Sequence, residues 1–186
     1  MKAGFALLLL LEAAPAFADR NDFSIDYYTV TGTTARALRA EIDAKGPIGE
    51  DGRRSDGYTH WAMNWSYGFD TGAAGCTTSR VVVDLDIRMT LPRWSAPPGT
   101  DAELISRWNR YVAAVRIHED GHRNLAETAA RDMRQALLVE RSASDCDTLR
   151  NRLDSRANAL LDDLRKQQAA YDRDTAFGQK QGVSRP

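Results

Sequence analysis

Residues 101–139 read DAELISRWNRYVAAVRIHEDGHRNLAETAARDMRQALLV, and this stretch decides the fold. Apolar residues recur at Leu104, Trp108, Tyr111, Val115, Leu125, Ala129, Met133 and Ala136. Steps of three and four put them on one stripe of a long helix. Between Val115 and Leu125 the same spacing is kept by His118 and His122, so two imidazoles are expected to face the fold and not the solvent. Pro97-Pro98-Gly99 marks the change into this helix, with Thr100 or Asp101 as its cap.

Working outward, a second helix is expected from about Asp145 to Tyr171, with Leu149, Leu153, Leu160 and Leu164 inward. A polar tail follows from Thr175 to Pro186. Upstream, Trp61, Met63, Trp65, Tyr67 and Phe69 alternate with polar residues from Thr59 to Phe69, the pattern of a half-buried strand. Val81, Val83, Leu85, Ile87 and Met89 alternate again, and Leu91-Pro92 is expected to stop that strand. The Gly-containing region from Gly68 to Ser79 reads as the turn between two antiparallel strands. Phe23 to Val30 reads as a short strand. Thr33 or Thr34 can cap a helix carrying Leu38 and Ile42, ended by Gly46-Pro47, and a charged loop runs on to Gly57. The expected class is α+β: a small antiparallel sheet packed against long helices.

With 186 residues, of which 42% are apolar, the chain can fill one real core, so one domain is expected over residues 19–186. The net charge of -1, with no basic block, argues against nucleic acid or an anionic membrane surface as partner. Residues 1–18 read as a signal peptide. Lys2 precedes a leucine-rich run from Phe5 to Leu11, and Ala16-Phe17-Ala18 offers small residues where a signal peptidase cuts. The mature protein is then expected to begin at Asp19, to have no membrane span and to be periplasmic or secreted. Its two cysteines, Cys76 and Cys146, make an even count for an oxidising compartment, which favours one disulfide.

His118-Glu119-Asp120-Gly121-His122 is an HExxH pattern on a zincin-like motif helix. Histidines four apart on a helix point the same way, and both can reach one Zn2+ at about 2.0–2.1 Å. Glu119 is poorly placed to coordinate the metal but can reach a water beside it, which makes it the candidate general base. Zinc lowers the pKa of its water to about 7. The bland reading is a pair of surface histidines on an amphipathic helix. Only three histidines exist in the chain, and two of them hold this spacing on the apolar stripe, which weighs against it.

The signal peptide, Tyr28 to Thr34, Gly57-Tyr58-Thr59 with Trp61 and Trp65, Leu91-Pro92 and Val115 to Ala130 resemble the DUF922 domain family of predicted secreted zinc-dependent proteases. The resemblance covers nearly all of the mature chain and implies a zinc peptidase. It also implies a C-terminal segment of Tyr-Asp, Thr and then His-Gly. The matching stretch here is Tyr171 to Gly178, and Phe177 stands where that His would be. Phe cannot bind a metal. Asp172 is then the best nearby third ligand, with Asp174 and His60 weaker, and a plain helix-end acceptor as the rival role for Asp172. Glu127 lies about 140° round the helix from His122 and should point away.

The expected function is an exported zinc metallohydrolase, a peptidase before other classes, acting on peptide or protein in the cell envelope. The alternatives are a zinc amidase acting on cell-wall peptide, and a non-catalytic envelope binding protein that keeps the fold.

Overall fold

The computed structural model describes residues 19–186. The expected signal peptide and its cleavage site at Ala18 lie outside the described residues. The chain runs through β1 (Asn21–Thr29), α1 (Ala35–Lys45), β2 (Tyr58–Gly72), β3 (Gly75–Arg93), α2 (Ala102–Val139), β4 (Ser142–Ala143), α3 (Cys146–Thr175) and a short 3-10 turn (Gln179–Gln181). The class is α+β, as expected. The sheet order is β1-β3-β2, with β4 added to β3.

Three expectations about the sheet need correction. First, the sheet is mixed: β2 and β3 pair antiparallel, but β1 pairs parallel to β3, Asn21 opposite Leu85. Parallel neighbours need a crossover, and α1 with β2 supplies it. Second, most of the stretch from Gly68 to Ser79 is strand. The hairpin tightens to Gly72 and Gly75, and a bulge between Gly68 and Phe69 takes up the irregular spacing. Third, Pro92 does not stop β3, which continues to Arg93. The pairing with β2 stops at Tyr58 opposite Thr90, and the Arg93 carbonyl points to the β1 side, where it accepts from the N–H of Val30, the residue after β1, at 2.9 Å. The neighbouring Pro92 therefore turns its missing N–H toward the side with no strand.

The helices start where side-chain caps allow. Thr34 Oγ1 accepts from Ala37 N–H, Asp101 from Glu103 N–H and Asp145 from Thr148 N–H. Helix α2 has 38 residues, which is about 57 Å of axis, long enough to serve two separate cores. Its first half packs Leu104, Trp108, Tyr111 and Val115 against Val30, Leu38, Ile42, Met89 and Leu91. Its second half packs Ala126, Met133 and Leu137 against Met63, Val81, Val83, Leu85 and the α3 residues Leu149, Leu153, Ala157 and Leu164. Met133 is buried as expected, but Leu125, Ala129 and Ala136, also expected inward, are only half-buried, because the second core draws on Ala126 and Leu137 instead. His118 and Glu119 fall at the seam between the cores.

Cys76 and Cys146 form a disulfide that joins the start of β3 to the first residue of α3. Helix α3 runs one turn past Tyr171, to Thr175. The tail beyond it is ordered onto the fold. Val183 packs against the first core, and Arg185 ion-pairs with Asp43 and Asp56.

Candidate metal centre

The α2 helix sets His118 and His122 one turn apart, with ring centroids 4.9 Å apart and planes at 83°. Helix α3 lies against that face and delivers Asp172. Its Oδ1 is 3.2 Å from His118 Nε2 and 3.0 Å from His122 Nε2. One nitrogen from each ring and one carboxylate oxygen thus lie within 4.8 Å of one another. In a tetrahedral zinc site with bonds of about 2.0–2.1 Å, ligand atoms stand about 3.3 Å apart. The two separations from Asp172 Oδ1 match that edge, and the two ring nitrogens lie within 4.8 Å of each other, so the donor set fits a zinc ion in chemistry and in spacing.

The helices can approach this closely because residue 121 is glycine. A Cβ there would fall 2.0 Å from the Tyr171 hydroxyl and 2.3 Å from its Cζ. Tyr171 uses the space to stack on His118, with centroids 5.2 Å apart and planes 12° apart, and to stand edge-on to His122. Its hydroxyl donates to the His118 carbonyl at 3.2 Å.

Each histidine turns its Nδ1 away from the shared point, toward a glutamine carboxamide. His122 Nδ1 is 2.5 Å from Gln168 Oε1, and His118 Nδ1 is 3.0 Å from Gln181 Oε1. Gln168 Nε2 also donates to the His122 carbonyl at 3.0 Å.

Glu119 is 4% exposed and lies outside the three-residue cluster. Thr59, at the start of β2, donates its hydroxyl to Glu119 Oε2 at 2.8 Å and to the Glu119 carbonyl at 3.2 Å. Burial pushes the Glu119 carboxyl above its usual range, against the pull of the two histidines and Thr59. Burial also works to raise Asp172, but its hydrogen bonds to His118 and His122 win and hold it well below the usual carboxylate range. For His122, burial lowers the pKa, and the bonds to Asp172 and Gln168 with the nearby Glu119 charge outweigh it, so the net shift is upward.

Of the residues singled out in the sequence, His118, His122 and Asp172 come together, with Glu119 beside them. His60 is exposed on the outer face of β2. Asp174 offers its carbonyl to Lys180 and stays outside the cluster. Glu127 pairs with Arg123. Phe177 is 64% exposed, in a left-handed turn with φ 52°, and its N–H donates to the Asp172 carbonyl at 2.7 Å. Asp172, one turn earlier, reaches the histidines instead.

Sequence reasoning missed Thr59, Gln168, Tyr171 and Gln181 as parts of the site. Thr59 carried a visible signal, as the polar member of the row that continues through Trp61 and Met63. Gln168 lies four residues before Asp172 on the same helix face. Gln181 gave no sign, because it lies beyond the last helical periodicity.

The family model described as bacterial protein of unknown function, DUF922, matches residues 25–179. No curated protein and no solved structure matches the chain.

Proposed function

Since the chain belongs to the DUF922 family, whose description assigns no activity, we propose from its own geometry that it is an exported zinc metallohydrolase, a peptidase before other classes. The observation that carries the reading is the convergence of His118 Nε2, His122 Nε2 and Asp172 Oδ1 on one point. Two imidazole nitrogens and a carboxylate oxygen at contact distance can hold a cation between them, in place of the protons that otherwise link them. Three protein ligands leave a fourth position free, which is the arrangement of catalytic zinc and not of structural zinc. The Asp172 side chain, 32% exposed, marks the side open to solvent.

Zinc bound there would supply Lewis acidity toward a carbonyl and toward water. The chain's own contribution is proton handling and orientation. Glu119, with its pKa raised by burial, accepts a proton from the attacking water and returns it to the leaving amine. Thr59 holds the Glu119 carboxylate by Oε2, and the absence of a Cβ at Gly57 leaves room for Oε1, which would lie 2.9 Å from one. The Cys76–Cys146 disulfide supports an oxidising compartment, hence export.

The test is zinc content of protein purified without added metal, followed by cleavage of fluorescently labelled casein by wild type and Glu119→Gln. Wild type should hold about one zinc per chain. Glu119→Gln should keep the zinc and lose about 100- to 10,000-fold in rate. A zinc-free wild type, or a Glu119→Gln variant with full activity, would overturn the reading. Zinc bound without turnover by wild type would leave the binding-protein alternative standing.

A further inference from the structure

We infer that Gln168 and Gln181 fix both histidines in the tautomer protonated at Nδ1, and that the C-terminal tail thereby sets the metal affinity of the site. This rests on the metal reading and adds what holds the two ligands in their binding form.

The His122 backbone oxygen can only accept, so the Gln168 atom 3.0 Å from it must be the amide nitrogen. The other end of that carboxamide, Oε1, can also only accept, and it lies 2.5 Å from His122 Nδ1. The ring must therefore carry its proton on Nδ1. Tyr171 fixes the second carboxamide in the same way. Its hydroxyl proton goes to the His118 carbonyl. Its oxygen is then free to accept from Gln181 Nε2 at 2.8 Å. Gln181 Oε1 is left facing His118 Nδ1 at 3.0 Å, and this ring too must donate from Nδ1. Each ring in its neutral form then has its lone pair on Nε2; the hydrogen bonds that Nε2 gives Asp172 in the metal-free site need a second proton, which a bound cation replaces.

Gln168 belongs to α3, but Gln181 belongs to the tail. That tail lies on the site: a Cβ at residue 178 would stand 3.1 Å from His118 Cγ. Its end is clamped by Arg185, which donates Nε to both Asp56 oxygens at 2.9 and 3.0 Å and Nη1 to Asp43 at 2.5 Å. Asp43 comes from α1, and Asp56 from the loop before β2. The clamp thus ties the end of the segment that carries Gln181 to α1 and to the loop before β2.

The experiment has two arms on the full chain, stripped of metal with a chelator. Long-range 1H–15N spectra of the neutral imidazoles read the tautomers directly. Both His118 and His122 should show Nδ1–H, and a neutral Nε2–H form at either would overturn the inference. Zinc titrations then compare wild type with Gln168→Leu, Gln181→Leu and Gln181→Glu. The leucine variants should bind about 10- to 100-fold more weakly. Gln181→Glu, which keeps an acceptor, should recover most of the loss. Arg185→Ala should weaken binding, and adding it to Gln181→Leu should weaken it no further, because the clamp acts through Gln181. Tight wild-type binding with unchanged leucine variants refutes the glutamine role and leaves the metal site intact. If wild type binds no zinc, the metal reading falls, and the coupling to metal affinity falls with it. The tautomer spectra, taken without metal, still decide whether the glutamines hold the rings.

Discussion

Gly121→Ala separates two opposed effects. Helix propensity alone favours alanine by about 1 kcal/mol in the interior of a helix such as α2. The added Cβ, however, would sit 2.0 Å from the Tyr171 hydroxyl, 2.3 Å from Cζ and 2.8 Å from Cε1. The ring cannot swing aside cheaply, because it is stacked on His118 and stands edge-on to His122. Moving it breaks the bonds to the His118 carbonyl and from Gln181, each worth about 0.5–1.5 kcal/mol net. Overpacking adds about 1–3 kcal/mol. The sum outweighs the propensity gain, so Gly121→Ala should destabilise the metal-free protein by about 1–5 kcal/mol. Urea unfolding followed by circular dichroism measures it. In a Tyr171→Ala background the clash is gone, and Gly121→Ala should then stabilise by about 1 kcal/mol. A single Gly121→Ala variant more stable than wild type would refute the account of why α2 and α3 approach here.

Reducing the Cys76–Cys146 bridge, or replacing both cysteines by alanine, should cost about 4 kcal/mol, since the bridge spans a separation of 70 residues; equal unfolding midpoints for oxidised and reduced protein would contradict this. Asp172→Ala should weaken zinc binding far more than Asp174→Ala or His60→Ala, read by competition with a zinc-sensitive dye; tight binding that survives Asp172→Ala removes it from the ligand set. Phe177→Asn should stabilise the fold by about 0.5–1 kcal/mol, because φ 52° strains Phe and suits Asn; a drop in thermal midpoint would show that the ring does more than sit exposed.

The sequence was most legible where one physical period ran undisturbed. The 3.6-residue stripe placed His118 and His122 on the inner face of α2, and the alternation from Thr59 to Phe69 located β2. It was less legible where pairing partners decide. Nothing local to Asn21–Thr29 shows whether it lies parallel or antiparallel to β3, since direction depends on how α1 crosses over. Pro92 looked like a strand end because its effect depends on which side of β3 lacks a neighbour. The glycines at 68, 72 and 75 suggested a broad turn, while a bulge and a tight hairpin absorbed them. Gln181 was beyond reach for a different reason. Its role comes from a tail clamped by Asp43 and Asp56, well over 100 residues away along the chain.

The disulfide at the first residue of α3 has a geometric consequence for the opposite end of that helix. Asp172 lies 26 positions beyond Cys146, about 39 Å along the axis at 1.5 Å per residue. A helix of that reach behaves as a lever. Rocking it by about one degree around its start would carry the carboxylate about 0.7 Å, roughly a third of a metal–ligand bond of about 2.0–2.1 Å. The carboxylate is therefore aligned from both ends of the lever: the sulfur bridge with buried Leu149 and Leu153 holds the fulcrum still, and Gln168 and Tyr171 tie the moving end to α2.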